Sequence, residues 1–246
     1  MQSPLNSQPE RATVAQRFFD HYPVFYETAQ AGPHPNRMNS RHEVIIEPHR
    51  ELLQGATVLD LASHDGRWSF AALEAGAEKV IGVEARGELV QRARDSFEEL
   101  GVDKDRYEFI AGGIFETLPR LSKKIDTIFC LGFFYHVHNH VALLTELQRF
   151  EARRLFLDTN ISMLDANVVE LRYDNAAKPG DAFWDASTKD NKIIVGWPSR
   201  KALAMMLGHF GYAWKELDWS GHVQRDRSGI EEYDEGWRIS LLAEKS

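Results

Sequence analysis

Asp60 and Glu84 are the residues of this chain whose types and positions most clearly suit chemistry. Asp60 lies in the apolar run Val58–Leu61, and Glu84 ends the next apolar run. Between them a turn-prone stretch leads into a helix-like segment, Arg67–Ala75, so the pattern indicates strand, turn, helix and strand. In an open α/β sheet, the carboxyl ends of the strands face the ligand crevice. The two acids therefore predict a ligand that carries an ammonium group and ribose hydroxyls.

The turn after the first predicted strand contains one glycine, Gly66. A dinucleotide site usually carries three spaced glycines, because a pyrophosphate needs close backbone approach at the helix N-terminus. His64 and Asp65 occupy positions that would crowd such a group. The turn therefore predicts a ligand without phosphates and disfavours a nicotinamide dehydrogenase. Glu84 is predicted to accept the hydrogens of both ribose hydroxyls.

A second stretch suited to chemistry, Cys130–His140, follows the fourth predicted strand. Its Gly132 allows close backbone approach to a ligand, and its aromatic residues (Phe133, Phe134 and Tyr135) can wall a dry pocket. His136 is the candidate general base, because an imidazole titrates near neutral pH. The alternative is a histidine that only bonds the backbone at a strand end. His136, His138 and His140 alternate, but a helix begins here and no carboxylate completes a ligand set, so we predict no metal site.

The elements that must position these residues alternate between strands and amphipathic helices. The predicted strands are Val58–Leu61, Lys79–Val83, Tyr107–Ala111, Ile125–Leu131, Arg154–Thr159, Ala213–Trp219 and Trp237–Ala243, and the main helices are Arg67–Ala75, Glu88–Leu100, His140–Phe150 and a helix that Ser199 caps and that runs to Phe210. This order predicts an α/β fold with a doubly wound, mostly parallel sheet. The closing pair of strands is predicted to form an antiparallel edge.

Two segments fall outside this alternation. Residues 1–54 are predicted to form an N-terminal extension: a polar lead-in, a helix that Pro23 interrupts, and a second helix that Asn39 or Ser40 caps and that bends near Pro48. The extension either packs on the domain of residues 55–246 or covers the ligand as a lid. Within that domain, residues from about 160 to 198 are predicted to form a hairpin-like insertion.

The composition limits the partners and the compartment. The net charge of −8 argues against a nucleic-acid-binding surface along the whole chain. The lone cysteine, Cys130, cannot form an internal disulfide, which is typical of a reducing cytoplasm. The sequence contains no run of about 18 apolar residues, so we expect no membrane span. The polar N-terminus is unlike a signal peptide. We therefore expect a cytoplasmic protein with a small-molecule substrate, while the oligomeric state stays open.

The stretch with Asp60, Ala62, Asp65 and Gly66 resembles motif I of the class I S-adenosylmethionine-dependent methyltransferases. The resemblance covers about residues 55–160 well, and it implies a seven-stranded sheet, S-adenosylmethionine as cofactor, backbone contacts to its methionine part and a ribose contact from Glu84. Where the family often has an acid near the adenine, this chain has Gly113, so Ile114 backbone or the Glu116 side chain would serve there. The cofactor residues predicted in this way are Arg41, Asp60, Ala62, Ser63, Asp65, Gly66, Glu84, Ala85, Gly113, Ile114 and Leu131. Because arginine binds carboxylates in a bidentate pair, Arg37 and Arg41 are both candidates for the cofactor's carboxylate, and Arg41 is the favoured one.

A narrower resemblance is carried by the fourth strand, the sequence LGFFYH, the long insertion with PGD and the helix that begins at PS. These features are similar to the tRNA uridine carboxymethyltransferase branch, which implies a carboxymethylated cofactor and a basic N-terminal extension for tRNA. This chain is acidic and its N-terminal part is short, so only the scaffold is transferred from that resemblance.

The sequence thus predicts a methyltransferase that acts on an oxygen or nitrogen of a small metabolite. Methyl transfer depends on positioning, a dry pocket and removal of the acceptor's proton. The residues predicted to contact the substrate are Tyr22, Tyr26, Tyr135, Arg172, Trp197 and Arg200. Two alternatives stay open: a tRNA-modifying methyl- or carboxymethyltransferase, and a binding module that holds S-adenosylmethionine without catalysis.

Overall fold

The computed structural model describes residues 16–27, 35–177, 188–222 and 226–245. The predicted polar lead-in and residues 178–187 of the predicted insertion lie outside the described residues. None of the helices within the described residues has the length and apolar composition of a membrane span.

A seven-stranded sheet forms the centre of the molecule, in the order β3-β2-β1-β4-β5-β9-β8. Its strands are β1 (Thr57–Leu61), β2 (Lys79–Glu84), β3 (Tyr107–Ala111), β4 (Thr127–Leu131), β5 (Arg154–Asn160), β8 (Tyr212–Glu216) and β9 (Arg238–Lys245). The first five are parallel, and β9 runs antiparallel to both β5 and β8. The predicted fold class is confirmed, including the antiparallel closing pair.

The helices join these strands. They are α1 (Val24–Glu27), α2 (Pro35–Arg41), α3 (Arg50–Leu53), α4 (Arg67–Glu74), α5 (Gly87–Glu99), α6 (Ile114–Thr117), α7 (His140–Gln148), α8 (Arg200–His209) and α9 (Glu231–Asp234). Short 3₁₀ turns lie at Phe18–His21, Glu47–His49, Lys104–Arg106, Leu118–Arg120, Phe134–His136 and Ser220–His222. As predicted, Ser199 caps α8, since its side chain accepts a hydrogen bond from the backbone N–H of Ala202.

The first helical segment of the N-terminal extension is interrupted at Pro23, as predicted, and the second begins at Pro35, earlier than the sequence indicates. A π-helical turn, His42–Ile46, and a 3₁₀ turn that contains Pro48 join α2 to α3. The predicted cap at Asn39 or Ser40 is wrong, because both residues lie inside α2. The side chain of Asn39 instead accepts a hydrogen bond of 2.8 Å from the backbone N–H of Phe19. This tertiary contact explains why a residue that favours helix caps lies within a helix.

Two apolar layers cover the two faces of the sheet. One layer joins the N-terminal extension, α4 and α5, with Phe19, Phe70 and Phe97 at its centre. The other joins α7 and α8, with Leu143 and Leu203 fully buried. Strands with both faces covered are typical of a parallel sheet.

A separate antiparallel hairpin, β6 (Val169–Asn175) with β7 (Lys192–Pro198), follows β5. It confirms the predicted hairpin-like insertion. Strand β7 contacts the 3₁₀ turn Phe134–His136, which follows β4. The hairpin is therefore docked beside the carboxyl end of the sheet. The domain boundary predicted at residue 54 stays a prediction.

Candidate functional site

The loop after β1 has a backbone that few residues adopt. Ala62 and His64 have φ angles of 53°, and Gly66 has a φ of 80°. Non-glycine residues in this left-handed region cost of order 1–3 kcal/mol each, and such strain clusters at ligand sites. The loop is held in place by hydrogen bonds from the backbone N–H of Ser63 to the Val83 carbonyl (3.1 Å) and of Gly66 to the Ser63 carbonyl (2.9 Å).

Gly66 has a packing role in addition to its left-handed backbone. A Cβ atom at this position would lie 2.9 Å from the ring of Phe109 and 3.0 Å from the ring of Phe97. Only glycine therefore lets the loop pack this closely on the aromatic residues of β3 and α5. This contact explains the glycine without any ligand.

Asp60 and Asp65 are both buried, but their pKa values are shifted in opposite directions. Asp60 accepts a hydrogen bond of 2.7 Å from Ser69, and burial raises the pKa of Asp60 to about 7. Burial also acts to raise the pKa of Asp65, but the Arg67 guanidinium outweighs it and holds this pKa well below its usual range. Arg67 donates to both oxygens of Asp65, at 2.7 and 2.6 Å. The structure therefore gives both acids protein partners at the turn; their predicted roles toward the cofactor stay predictions.

Glu84 lies buried at the carboxyl end of β2, and the backbone fixes its carboxylate. Its Oε2 accepts a hydrogen bond of 3.1 Å from the backbone N–H of His64, and its Oε1 accepts bonds of 3.0 Å from the backbone and the side chain of Arg86. A carboxylate offers about four acceptor sites, so it can take further donors. These three hydrogen bonds fix the orientation of the Glu84 carboxylate. Its role toward the ribose stays a prediction. The neighbouring Ala85 is exposed.

The residues predicted near the adenine lie after β3. Gly113 caps α6, and Ile114, the first residue of that helix, is buried. The atoms nearest to a Cβ at Gly113 belong to the Glu116 side chain, at 3.7 Å. These residues occupy the loop that follows the strand next to β2, as the resemblance implies, and their contacts to a cofactor stay predictions.

Asp158, at the carboxyl end of β5, is the centre of a buried polar network. Its Oδ1 accepts hydrogen bonds from Arg238 Nε (2.8 Å) and Arg41 Nη2 (3.2 Å), and its Oδ2 accepts from the hydroxyls of Tyr233 (2.8 Å) and Ser240 (2.6 Å). Burial acts to raise the pKa of Asp158, but the two guanidinium groups outweigh it and hold this pKa below its usual range. Sequence reasoning noted neither Arg238 nor Tyr233.

The network carries a surplus of positive charge. It holds the guanidinium groups of Arg41 and Arg238 and one carboxylate, that of Asp158, which leaves one positive charge in excess. The nearby Arg37 forms its own ion pair, with Glu232. The Nε atom of Arg41 is buried and has no hydrogen-bond partner. Burying a donor without a partner costs about 1–3 kcal/mol. Both facts favour an additional anionic group beside these side chains.

Gly132, the residue that follows β4, leaves space next to these two arginines. Its φ of 110° is left-handed, and a Cβ there would lie 3.4 Å from Arg238 Nη2 and 3.9 Å from Arg41 Nη2. Arg41 also donates a hydrogen bond of 3.1 Å to the carbonyl of Leu131. The N-terminal extension thus reaches the carboxyl end of the sheet through Arg41, and the space beside Gly132 suits a carboxylate.

His136 lies in the 3₁₀ turn that follows Gly132. Its ring contacts the ring of Tyr135 at 4.1 Å, and its buried Nδ1 lies 3.5 Å from Oδ2 of Asp174 on β6. His140 has a structural contact, because its Nε2 lies 3.1 Å from the Phe134 carbonyl, and burial lowers its pKa to about 4. Within the described ranges, no three histidine, cysteine or acidic side chains converge as metal ligands would.

Three of the predicted substrate residues lie together. The ring of Tyr135 meets that of Trp197 edge to face at 6.4 Å, and the Arg172 guanidinium covers Trp197 at 3.9 Å. Trp237 stacks with Trp197 at 5.9 Å, and Arg238 lies 5.4 Å from the Tyr135 ring. The hairpin therefore contributes an aromatic wall to the site.

The other three predicted substrate residues are bonded elsewhere. The hydroxyl of Tyr22 donates to Glu74 at 3.2 Å on α4. The hydroxyl of Tyr26 donates to Asp20, and burial raises its pKa. Arg200 forms a surface ion pair of 2.8 Å with Glu216. The structure does not bring these three side chains together with the aromatic wall, and their role in binding stays a prediction.

The sheet order, the left-handed loop after β1 and the acid that ends β2 define a Rossmann-like methyltransferase. The sequence model of the methyltransferase domain family matches residues 52–197, which is more than half of the chain. The chain belongs to this family. The predicted class, the S-adenosylmethionine-dependent methyltransferases, is confirmed.

The curated relatives match this chain over less than half of their own length. The tRNA U34 carboxymethyltransferase of Idiomarina loihiensis is 29% identical over 168 residues, which are 68% of this chain and 48% of that protein. The protein of the same name from Campylobacter hominis is 35% identical over 119 residues, 47% of this chain and 39% of its own length. The chain therefore spans less than half the length of these two relatives.

Solved structures share the fold. The N-terminal domain of EvdMO1 with bound SAH has a TM-score of 0.59 and is 19% identical; the match covers 86% of this chain and 80% of that chain. The magnesium protoporphyrin IX methyltransferase of Synechocystis PCC 6803, with bound SAH, has a TM-score of 0.55 and is 17% identical; the match covers 95% and 90%. At these identities the likeness concerns the fold alone.

Proposed function

We propose that this chain transfers a methyl group from S-adenosylmethionine to an oxygen or nitrogen of a small metabolite. The observation that carries the proposal is the surplus positive charge beside Gly132, on the same edge of the sheet as Glu84. An amino-acid carboxylate and a ribose are two parts of the donor that such groups recognise.

The residues at this edge fit the donor. Arg41 offers its unpartnered Nε to a carboxylate, and Glu84 offers free acceptor sites to the ribose. The left-handed backbone at Ala62 and His64 is of the strained kind that clusters at ligand sites. When bound, the donor supplies an electrophilic methyl group, whose carbon–sulfur bond breaks with its electron pair left on sulfur.

The chain's own residues exclude water from the site and supply a base for the acceptor's proton. Tyr135 and Trp197 shield one side of the site from water, which strengthens electrostatic interactions inside it. His136 is the proposed base: it takes the proton of the acceptor while the acceptor's lone pair forms the new bond to carbon. The aromatic wall supports an acceptor that is itself partly aromatic.

A second candidate function is carboxymethyl transfer to tRNA. It is supported by the names of the relatives from Idiomarina loihiensis and Campylobacter hominis. Against it stands the net charge of −8, since RNA binding depends on a basic surface.

The two candidates are separated by supplying each donor with each class of acceptor. Purified protein is incubated with S-adenosylmethionine or its carboxymethylated form, together with a metabolite extract or bulk tRNA, and the products are identified by mass spectrometry. A methylated small molecule supports the first candidate, and a carboxymethylated nucleoside supports the second. Loss of the product in a His136→Ala variant that still binds S-adenosylhomocysteine argues against a binding module without catalysis.

A further inference from the structure

We propose that Asp174, in the hairpin insertion, is a positioning residue that orients the imidazole of His136. The inference rests on the proposed methyl transfer, in which His136 is the base, and it extends to a residue that the sequence did not single out. The nearest approach joins Asp174 Oδ2 to His136 Nδ1 at 3.5 Å. The exposed fraction of the His136 side chain is 10%, and that of the Asp174 side chain is 38%.

The first argument is the state of the His136 ring. Its Nδ1 is buried and has no hydrogen-bond partner within bonding distance. A buried N–H that lacks a partner is unfavourable, and a carboxylate is the strongest acceptor for it. A shift of well under 1 Å would bring the two atoms to the usual N–H···O distance. The proton then resides on Nδ1, and the lone pair resides on Nε2.

The second argument is the fixed position of the carboxylate. Oδ1 of Asp174 accepts a hydrogen bond of 2.8 Å from the backbone N–H of Asn175, so Oδ2 is the oxygen directed at His136. Asp174 pairs with Ile193, which is fully buried, across the hairpin. A Cβ at Gly196 of β7 would lie 3.0 Å from the Cα atom of His138. The hairpin is therefore packed closely against the segment that carries His136.

The pair has a chemical consequence for the acceptor. A carboxylate on Nδ1 holds the tautomer in which Nε2 can take a proton, and it stabilises the imidazolium that forms. Such a device is useful for an acceptor that must lose a proton, such as an alcohol, a phenol or an amide. An acceptor whose lone pair is already available, such as a tertiary amine, would not need it.

The test is the tautomer of His136 in the protein without ligands, measured by long-range ¹H–¹⁵N correlation of the imidazole nitrogens. A His136→Gln variant identifies the signals of His136 among the ten histidines. We expect the Nδ1–H tautomer in the natural sequence and its loss in Asp174→Ala. The matched control is Asp165→Ala, an acid of the same insertion whose side chain is 88% exposed and pairs with Lys201 at 2.8 Å; we expect it to keep the tautomer.

An unchanged His136 tautomer in Asp174→Ala would overturn the inference. Once an acceptor is known, Asp174→Ala should lower kcat about tenfold or more at an unchanged KM, and Asp174→Glu should recover part of that loss. An unchanged kcat would also overturn it. Absence of transfer in the natural sequence would refute the proposed function. The spectrum does not depend on turnover, so the tautomer of His136 would still decide the inference about Asp174.

Discussion

Replacing Asp158 by asparagine removes the carboxylate that lies between two buried guanidinium groups. The substitution keeps the size of the side chain, but it leaves Arg238 and Arg41 without the negative charge that accepts their hydrogen bonds. Breaking a buried ion pair by removing one partner costs about 3–5 kcal/mol. We therefore expect the free energy of unfolding to fall by about that amount, which is a large part of the total stability of a domain.

The assay is equilibrium unfolding in urea at pH 7, with the midpoint and the slope both recorded. The matched control is Asp165→Asn at an exposed ion pair, which should change the free energy of unfolding by less than about 1 kcal/mol. A double variant, Asp158→Asn with Arg238→Met, should recover part of the loss, because it removes one of the uncompensated charges.

The same carboxylate should contribute to acid stability. Because the pKa of Asp158 is lower in the folded protein than its ordinary value near 3.8, its contribution is present above that value and is lost as the pH falls through the folded pKa. Asp158→Asn should therefore lose less stability than the natural sequence when the pH is lowered below 4. A loss at pH 7 of under about 1 kcal/mol would refute the argument that this buried pair is tightly coupled.

Three further predictions concern the loop, the donor site and the base. Gly66→Ala should lower the free energy of unfolding by about 1–3 kcal/mol, because Gly66 has a φ of 80° and a Cβ there would lie 2.9 Å from Phe109. The control Gly208→Ala, in α8, should raise it slightly, because a Cβ at Gly208 would have no atom within 4 Å. Urea unfolding of both variants measures the two changes. Glu84→Gln should weaken S-adenosylhomocysteine binding about tenfold or more in calorimetry, since charged hydrogen bonds contribute about 1.5–3 kcal/mol, and equal affinities would contradict the ribose role. His136→Ala should keep that affinity and lose transfer, and full turnover would show that His136 is not the base.

Most of the fold could be predicted from the sequence, because apolar periodicity reports directly on burial. Strand β3, Tyr107–Ala111, has its predicted ends, and the other sheet strands differ by a few residues at most. The start of the second N-terminal helix could not be predicted. Asn39 is a strong capping residue by its type, but its side chain accepts a hydrogen bond from Phe19, and this contact between distant residues outweighs the local preference.

The donor side of the site could be predicted in outline, and the polar network could not. Glu84 lies where the end of β2 was expected, because the strand and its acid are adjacent in sequence. Arg238 meets Asp158 only through the antiparallel register of β5 and β9, in which Asp158 pairs with Ser240. No sequence spacing reports such a register. The approach of Asp174 to His136 depends in the same way on how the hairpin docks.

Binding of S-adenosylhomocysteine, measured by calorimetry beside NAD, tests the central claim most directly. The fold, the loop at Ala62–Gly66 and the charges beside Gly132 predict one S-adenosylhomocysteine per chain, with binding weakened by Glu84→Gln and unchanged by Asp165→Asn. Tight NAD binding without any binding of S-adenosylhomocysteine would contradict the claim.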